Sequence, residues 1–144
     1  MQGSAYLDTS ALAKWYFEEN NSEPLKNYIG QLDTAIISPL VKTEMRCVCA
    51  RRRRRHEITP EMEMQIYSIF ENDLEQGHLL LYPMDDSIYE HAIRLLNAFN
   101  TYALRTLDAI HLATLQSHHI QQLATADEVL ASVAQELGLE VRFF

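Results

Sequence analysis

The stretch LATADEVLASVAQELGLEVRF, residues 123–143, decides how the rest of the chain reads. Leu123–Thr125 reads as a short apolar strand, Asp127–Leu137 as a helix ended by Gly138, and Val141–Phe143 as a second strand. A helix carrying the chain from one strand to the next makes the two strands parallel. Working outward, the same alternation fills the chain. Ser4–Leu7 reads as a strand running into Asp8-Thr9-Ser10, which caps a helix holding Leu12, Trp15 and Tyr16. A helix follows Ser22, with Leu25, Tyr28, Ile29 and Leu32 at helical spacing. Ala35–Ser38 is a strand, and Pro39 opens a long helix.

Thr59-Pro60 starts another helix, with Met62, Ile66, Ile69, Phe70 and Leu74 on one expected core face and Gly77 past its end. Leu79–Tyr82 is a strand. Ile88, Ala92, Leu95, Leu96 and Phe99 mark the next helix, and Leu104–Leu115 a more apolar one. The pattern implies an α/β fold with a mainly parallel sheet covered on both faces, built as one domain over 1–144. In such folds a ligand site lies beyond the carboxyl ends of the strands, where Asp8 and Asp127 fall. No run approaches the roughly 18 to 20 apolar residues of a membrane span, and Met1–Ser4 shows no leader pattern. Cys47 and Cys49, two apart on a helix, point away from each other and are expected to be free thiols in a reducing cytoplasm.

The charge is uneven. Lys and Arg number 12 against 20 Asp and Glu, a net charge of −8, which alone argues against a nucleic-acid partner. Six of the basic residues are Arg46 and Arg51, Arg52, Arg53, Arg54 and Arg55, with no acid between 46 and 55. An acidic body with one basic patch suits either a phosphate-binding surface or a solvated helix end. Five consecutive residues at about 100° each cover every face of a helix, so the run is expected to protrude or fray, exposed to solvent.

Two acids stand on apolar stripes. Glu44 shares a face with Val41, Met45 and Val48, and Asp108 with Leu104, His111 and Leu115. A buried carboxylate needs a cation, several hydrogen bonds or a metal. An ion pair with an arginine would satisfy either one singly, and helix capping would account for Asp8 or Asp127. Taken together, the four imply one acidic pocket that needs a compensating cation. All-oxygen ligation selects Mg²⁺ or Mn²⁺, and no Cys/His cluster competes for zinc.

YLDTSALAKWY (6–16), SPLVKTEMRCVCARR (38–52), LRTLDAIHLAT (104–114) and LATADEVLASVAQELGLEV (123–141) resemble, in order and spacing, the motifs of PIN domains. Within them they look most like the VapC-type toxins of bacterial toxin–antitoxin pairs. The resemblance implies a three-layer α/β/α sandwich and a divalent-metal site made by Asp8, Glu44, Asp108 and Asp127. It places Thr9, Ser10 and Thr125 as supporting hydroxyls. It further implies an RNA substrate cut to leave a 5′-phosphate, a homodimer with aromatic anchors around Trp15, Tyr16 and Tyr28, and a small antitoxin partner. The five-arginine run is denser than the family pattern requires, and Ala103 stands where a glycine often precedes the Asp108 motif.

Metal at such a site polarises a phosphodiester oxygen and activates a water. His111, one turn from Asp108, reads as a hydrogen-bonded core histidine beside the site. His118 and His119 read as helix-end partners and Asp85-Asp86 as capping. Two other functions fit parts of the pattern. A phosphoacceptor signalling domain wants an acidic pair after the first strand and a lysine near the last, and neither is present. A catalytically silent PIN scaffold that only binds RNA or protein would not need all four acids.

Overall fold

The computed structural model describes residues 3–144, so Met1 and Gln2, with the part of the leader reading that rests on them, lie outside it. Five strands form the sheet: β1 (Ser4–Leu7), β2 (Thr34–Ile37), β3 (Leu80–Leu81), β4 (Gln122–Thr125) and β5 (Glu140–Phe143). Their order is β3-β2-β1-β4-β5, and every pairing is parallel. Helices α1 (Thr9–Tyr16) and α2 (Ser22–Gln31) join β1 to β2, and α3 (Pro39–Arg54) and α4 (Pro60–Glu75) join β2 to β3. Helices α5 (Ser87–Ala98) and α6 (Thr106–Ser117) lead to β4, and α7 (Glu128–Glu136) to β5.

Parallel crossovers are right-handed, so connections running outward through β2 and β3 cover one face, and those running back through β4 and β5 cover the other. The result is the expected α/β/α sandwich. The direction of winding reverses between β1 and β4, which opens a crevice at their carboxyl ends. The central strands are apolar on both sides: Ala5, Tyr6, Leu7, Ile36, Ile37, Leu123 and Ala124 are all at most 1 % exposed. Helix α6 is buried from Asp108 through Leu115, which accounts for its lack of a polar stripe. Both edges of the sheet are short, and β3 keeps only two residues, which limits pairing with other chains. No helix among the described residues is long and apolar enough to cross a membrane.

Helix α4 departs from expectation. Of its five expected core residues only Phe70 is buried; Met62 and Ile69 are exposed. The helix packs against α3 at the side of the molecule, so only a narrow strip meets neighbours. Part of that strip is Glu63, buried and paired with Arg46 and Arg53. Tyr28, expected as an interface anchor, is 2 % exposed with its hydroxyl donated to Gln122, so it belongs to the core. Trp15 and Tyr16 are half-buried against that core. Cys47 is exposed and Cys49 buried, both free.

Phe70→Ala should cost about 3–5 kcal/mol of stability by urea denaturation. Ile69→Ala, beside it in sequence but outside the core, should change stability by about 0.5 kcal/mol or less.

Candidate active site

Each expected acid is held by its own set of donors. Asp8 follows β1 and caps α1, accepting a hydrogen bond from the Ala11 backbone N–H at 3.0 Å. Ser10 Oγ donates to its carboxylate at 2.8 and 2.9 Å, and Thr125 Oγ1, at the end of β4, donates to Oδ2 at 2.8 Å. Thr125 Oγ1 also accepts from the Asp127 backbone N–H at 3.0 Å, and Ser10 Oγ from that of Ala126 at 2.9 Å. Two hydroxyls thus stitch the end of β1 to the turn after β4. Asp127 caps α7 through Oδ1, which accepts from the Leu130 N–H at 2.9 Å. Capping is therefore real for both aspartates. It also fixes where their carboxylates sit.

Glu44, on α3, accepts at Oε1 from Thr9 Oγ1 at 2.8 Å and contacts His111 Nε2 at 2.8 Å. Behind the imidazole, Nδ1 lies 2.7 Å from Tyr6 Oη, which is 2.9 Å from Ser38 Oγ. An ionised Glu44 can only accept, so the network assigns the His111 proton to Nε2 and leaves Nδ1 to accept from Tyr6. Burial pushes the Tyr6 phenol far above its ordinary range, which keeps that donor protonated. His111 is the buried, hydrogen-bonded histidine expected beside the site.

Asp108 lies in the first turn of α6, where its Oδ2 accepts from the Arg105 backbone N–H at 3.1 Å. The Arg105 side chain then folds over two of the acids. Its Nε is 3.5 Å from Asp108 Oδ2, and Nη2 donates to Asp127 Oδ2 at 3.1 Å. Arg105 was not singled out from the sequence. Its position three residues before Asp108, the reach of an N-terminal helical turn, was the available signal. Among the described residues, no three acidic, histidine or cysteine side chains stand close enough to form a ready coordination shell. Glu44 and Asp108 line one recess with Arg105, whose guanidinium bridges Asp108 to Asp127.

The electrostatics of the acids differ. Burial pushes the Asp8 carboxyl up, against the bonds it accepts from Ala11, Ser10 and Thr125. Burial acts on Glu44 in the same direction, but His111, Thr9 and the charge of Arg105 outweigh it and hold that group below its usual value. No cationic side chain forms an ion pair with Asp8 among the described residues. The donor set fits a hard divalent ion: carboxylate oxygens with hydroxyls beside them.

A groove lined by Thr9, Ser10, Glu44, Arg51, Arg52 and Arg105 runs beside the acids. The arginine run neither frays nor projects entirely into solvent. Helix α3 continues to Arg54, with Arg55 as its cap. Arg52 lies 4.2 Å over the Phe17 ring and pairs with Glu19 and Glu57, while Arg46 and Arg53 hold Glu63. Acids from other elements come to the cluster, which the gap in the local sequence could not show. Arg51, Arg54 and Arg55 are exposed. His118 accepts no helix-end role alone: its Nε2 lies 2.7 Å from the Pro83 carbonyl, tying α6 to the loop after β3. Of the expected capping pair, Asp85 accepts from the Ser87 backbone N–H at 2.9 Å, whereas Asp86, at the N-cap position of α5, makes no side-chain capping bond.

A model of the PIN domain matches residues 5–136. The chain belongs to the PIN-domain family. It is 31% identical over 144 residues to the ribonuclease VapC46 of Mycobacterium tuberculosis, covering 94% of each chain. Solved PIN structures share its fold at low identity. VapC20 of Mycobacterium tuberculosis, described as a sarcin-ricin loop cleaving toxin, has a TM-score of 0.69 at 15% identity, covering 89% of this chain and 93% of that one. VapBC2 of Rickettsia felis, bound to a DNA fragment from its promoter, has a TM-score of 0.70 at 12% identity and covers 98% of each chain. The PIN match spans all four acids.

Because the native state raises the Asp8 pKa, it penalises the ionised form. That penalty is absent below the unfolded-state pKa and complete above the folded one. In EDTA, Asp8→Asn should therefore raise the Tm at pH 7, and the gain should disappear as pH falls below the ordinary aspartate range. A loss of Tm at pH 7 would show that the hydrogen bonds to Asp8 outweigh its burial.

Proposed function

We propose that this PIN domain is a divalent-metal-dependent endoribonuclease, the toxin of a toxin–antitoxin pair. What supports this reading is a hydrogen-bonded network that ties the four acids together: Thr125 joins Asp8 to the Asp127 backbone, Arg105 joins Asp127 to Asp108, and Thr9, next to Asp8, binds Glu44. The identity to a named ribonuclease supports the activity, and ribonucleases of this family generally use divalent metals. In this reading residues 1–144 form one functional unit that works in the cytoplasm on RNA, pairs as a homodimer and is held in check by a small antitoxin. The toxin–antitoxin complex among its fold relatives supports the last of these.

Asp8, Glu44, Asp108 and Asp127 would hold Mg²⁺ or Mn²⁺. Bound there, the ion supplies Lewis-acid polarisation of the phosphodiester and a water acidic enough to act as nucleophile. The protein's own side chains do the positioning. Ser10 and Thr125 fix the Asp8 carboxylate, and Thr9 and His111 fix Glu44, with Tyr6 and Ser38 setting the imidazole behind it. Outer groups of this kind orient ligands and are worth about 10- to 100-fold in activity or affinity. Arg51 on the groove wall places positive charge where an RNA backbone would run.

The test is cleavage of single-stranded RNA by the purified chain. EDTA should stop it and Mg²⁺ or Mn²⁺ should restore it. Asp8→Asn and Glu44→Gln should each reduce it to background, whereas His111→Gln should retain activity reduced by about 10- to 100-fold. Full activity in Asp8→Asn would sink the reading.

RNA binding measured in EDTA separates the arginines. Arg51→Gln should flatten the slope of log affinity against log salt by about 0.7 and leave the Tm unchanged. Arg53→Gln should lower the Tm, because it strips a partner from buried Glu63, with little effect on the slope.

A further inference from the structure

We propose that Arg105 is a tethered counter-cation that occupies the acidic crevice in the metal-free protein and must be displaced for a divalent ion to bind. The inference rests on the metal-site reading above. It begins from the geometry of the guanidinium, which contacts the carboxylates of both Asp108 and Asp127 through different nitrogens. Arg105 also lines the recess that holds Glu44. One flexible cation thus touches two of the four acids and neighbours a third. Asp8 is compensated by neutral donors instead.

Two features separate a competitor from a positioning residue. First, the acids do not depend on the guanidinium for their placement. Asp127 is anchored by its Oδ1 bond to the Leu130 N–H, and Asp108 by its bond to the Arg105 backbone N–H, which remains when the side chain moves. Second, the side chain is 76% exposed, so it can leave the crevice without giving up buried area. A guanidinium has five donors but brings one charge, and it cannot gather carboxylates into an inner coordination sphere. With it in place the four acids do not close into a coordination shell. It lines both the recess holding Glu44 and Asp108 and the adjoining groove with Arg51, so its route out leads along the positive wall.

The test is Mn²⁺ binding by titration calorimetry on the full chain without RNA. Exposed ion pairs are individually weak, so Arg105→Gln should bind Mn²⁺ on the order of three- to tenfold more tightly than the wild type. Arg105→Lys, which keeps the charge and loses the fork, should fall between them. Arg51→Gln removes a nearby positive charge that touches none of the acids, and at physiological salt it should leave Mn²⁺ affinity unchanged. Equal or weaker binding by Arg105→Gln would overturn the proposal while leaving the metal site standing. Equal tightening by Arg51→Gln would also overturn it, by reducing the effect to general field. If neither wild type nor Arg105→Gln binds Mn²⁺, the metal-site reading fails and this inference fails with it.

Discussion

Carboxylates gathered at the end of a parallel sheet repel one another, and each one withdrawn from water costs more to keep ionised. The carboxyl ends of β1 and β4 have to accommodate that repulsion, and the chain does so differently for each acid. Asp8, the deepest, is surrounded by a backbone N–H and two hydroxyls. Glu44 has an imidazole whose far nitrogen is held by a buried tyrosine. Asp108 and Asp127 share an arginine that reaches in from solvent. Helix starts at α1, α6 and α7 supply the backbone donors, so the winding of the fold and the solvation of the site are one arrangement.

Which parts were legible in sequence follows from the range of the forces involved. Hydrophobic periodicity is local, so the order of strands and helices could be read, and Asp8 and Asp127 could be placed at strand ends. Glu44 and Asp108 were visible because a charge on an apolar stripe demands an explanation. Periodicity reports a face, however, and not how much of that face finds a neighbour. The stripe on α4 therefore looked like core, though only Phe70 is buried. Tyr28 erred in the other direction. Ion pairs are set by the tertiary fold, so Glu19 and Glu63 could not be assigned to the arginine run in advance. Arg105 does not stand out in the sequence, because an arginine at a helix start has an ordinary surface explanation.

The basic patch illustrates a division of labour. Arg46, Arg52 and Arg53 compensate acids from α4 and the loop before α2, holding α3 in place. Arg51 faces the groove, so the net charge of −8 does not describe the surface beside the site. Local field, rather than total charge, governs how a polyanion meets a protein.

The hydroxyl of Thr125 reaches the carboxylate of Asp8 across 117 positions of chain. On a ribosome, the first half of that contact emerges long before the second has been translated. A nascent chain holding β1 through α6 has Asp8, Glu44 and Asp108 but lacks the strand between which and β1 the crevice opens. The crevice is therefore completed only once β4 slides in beside β1. Under the ribonuclease reading proposed above, that order separates the making of the first three acids from the arming of the site.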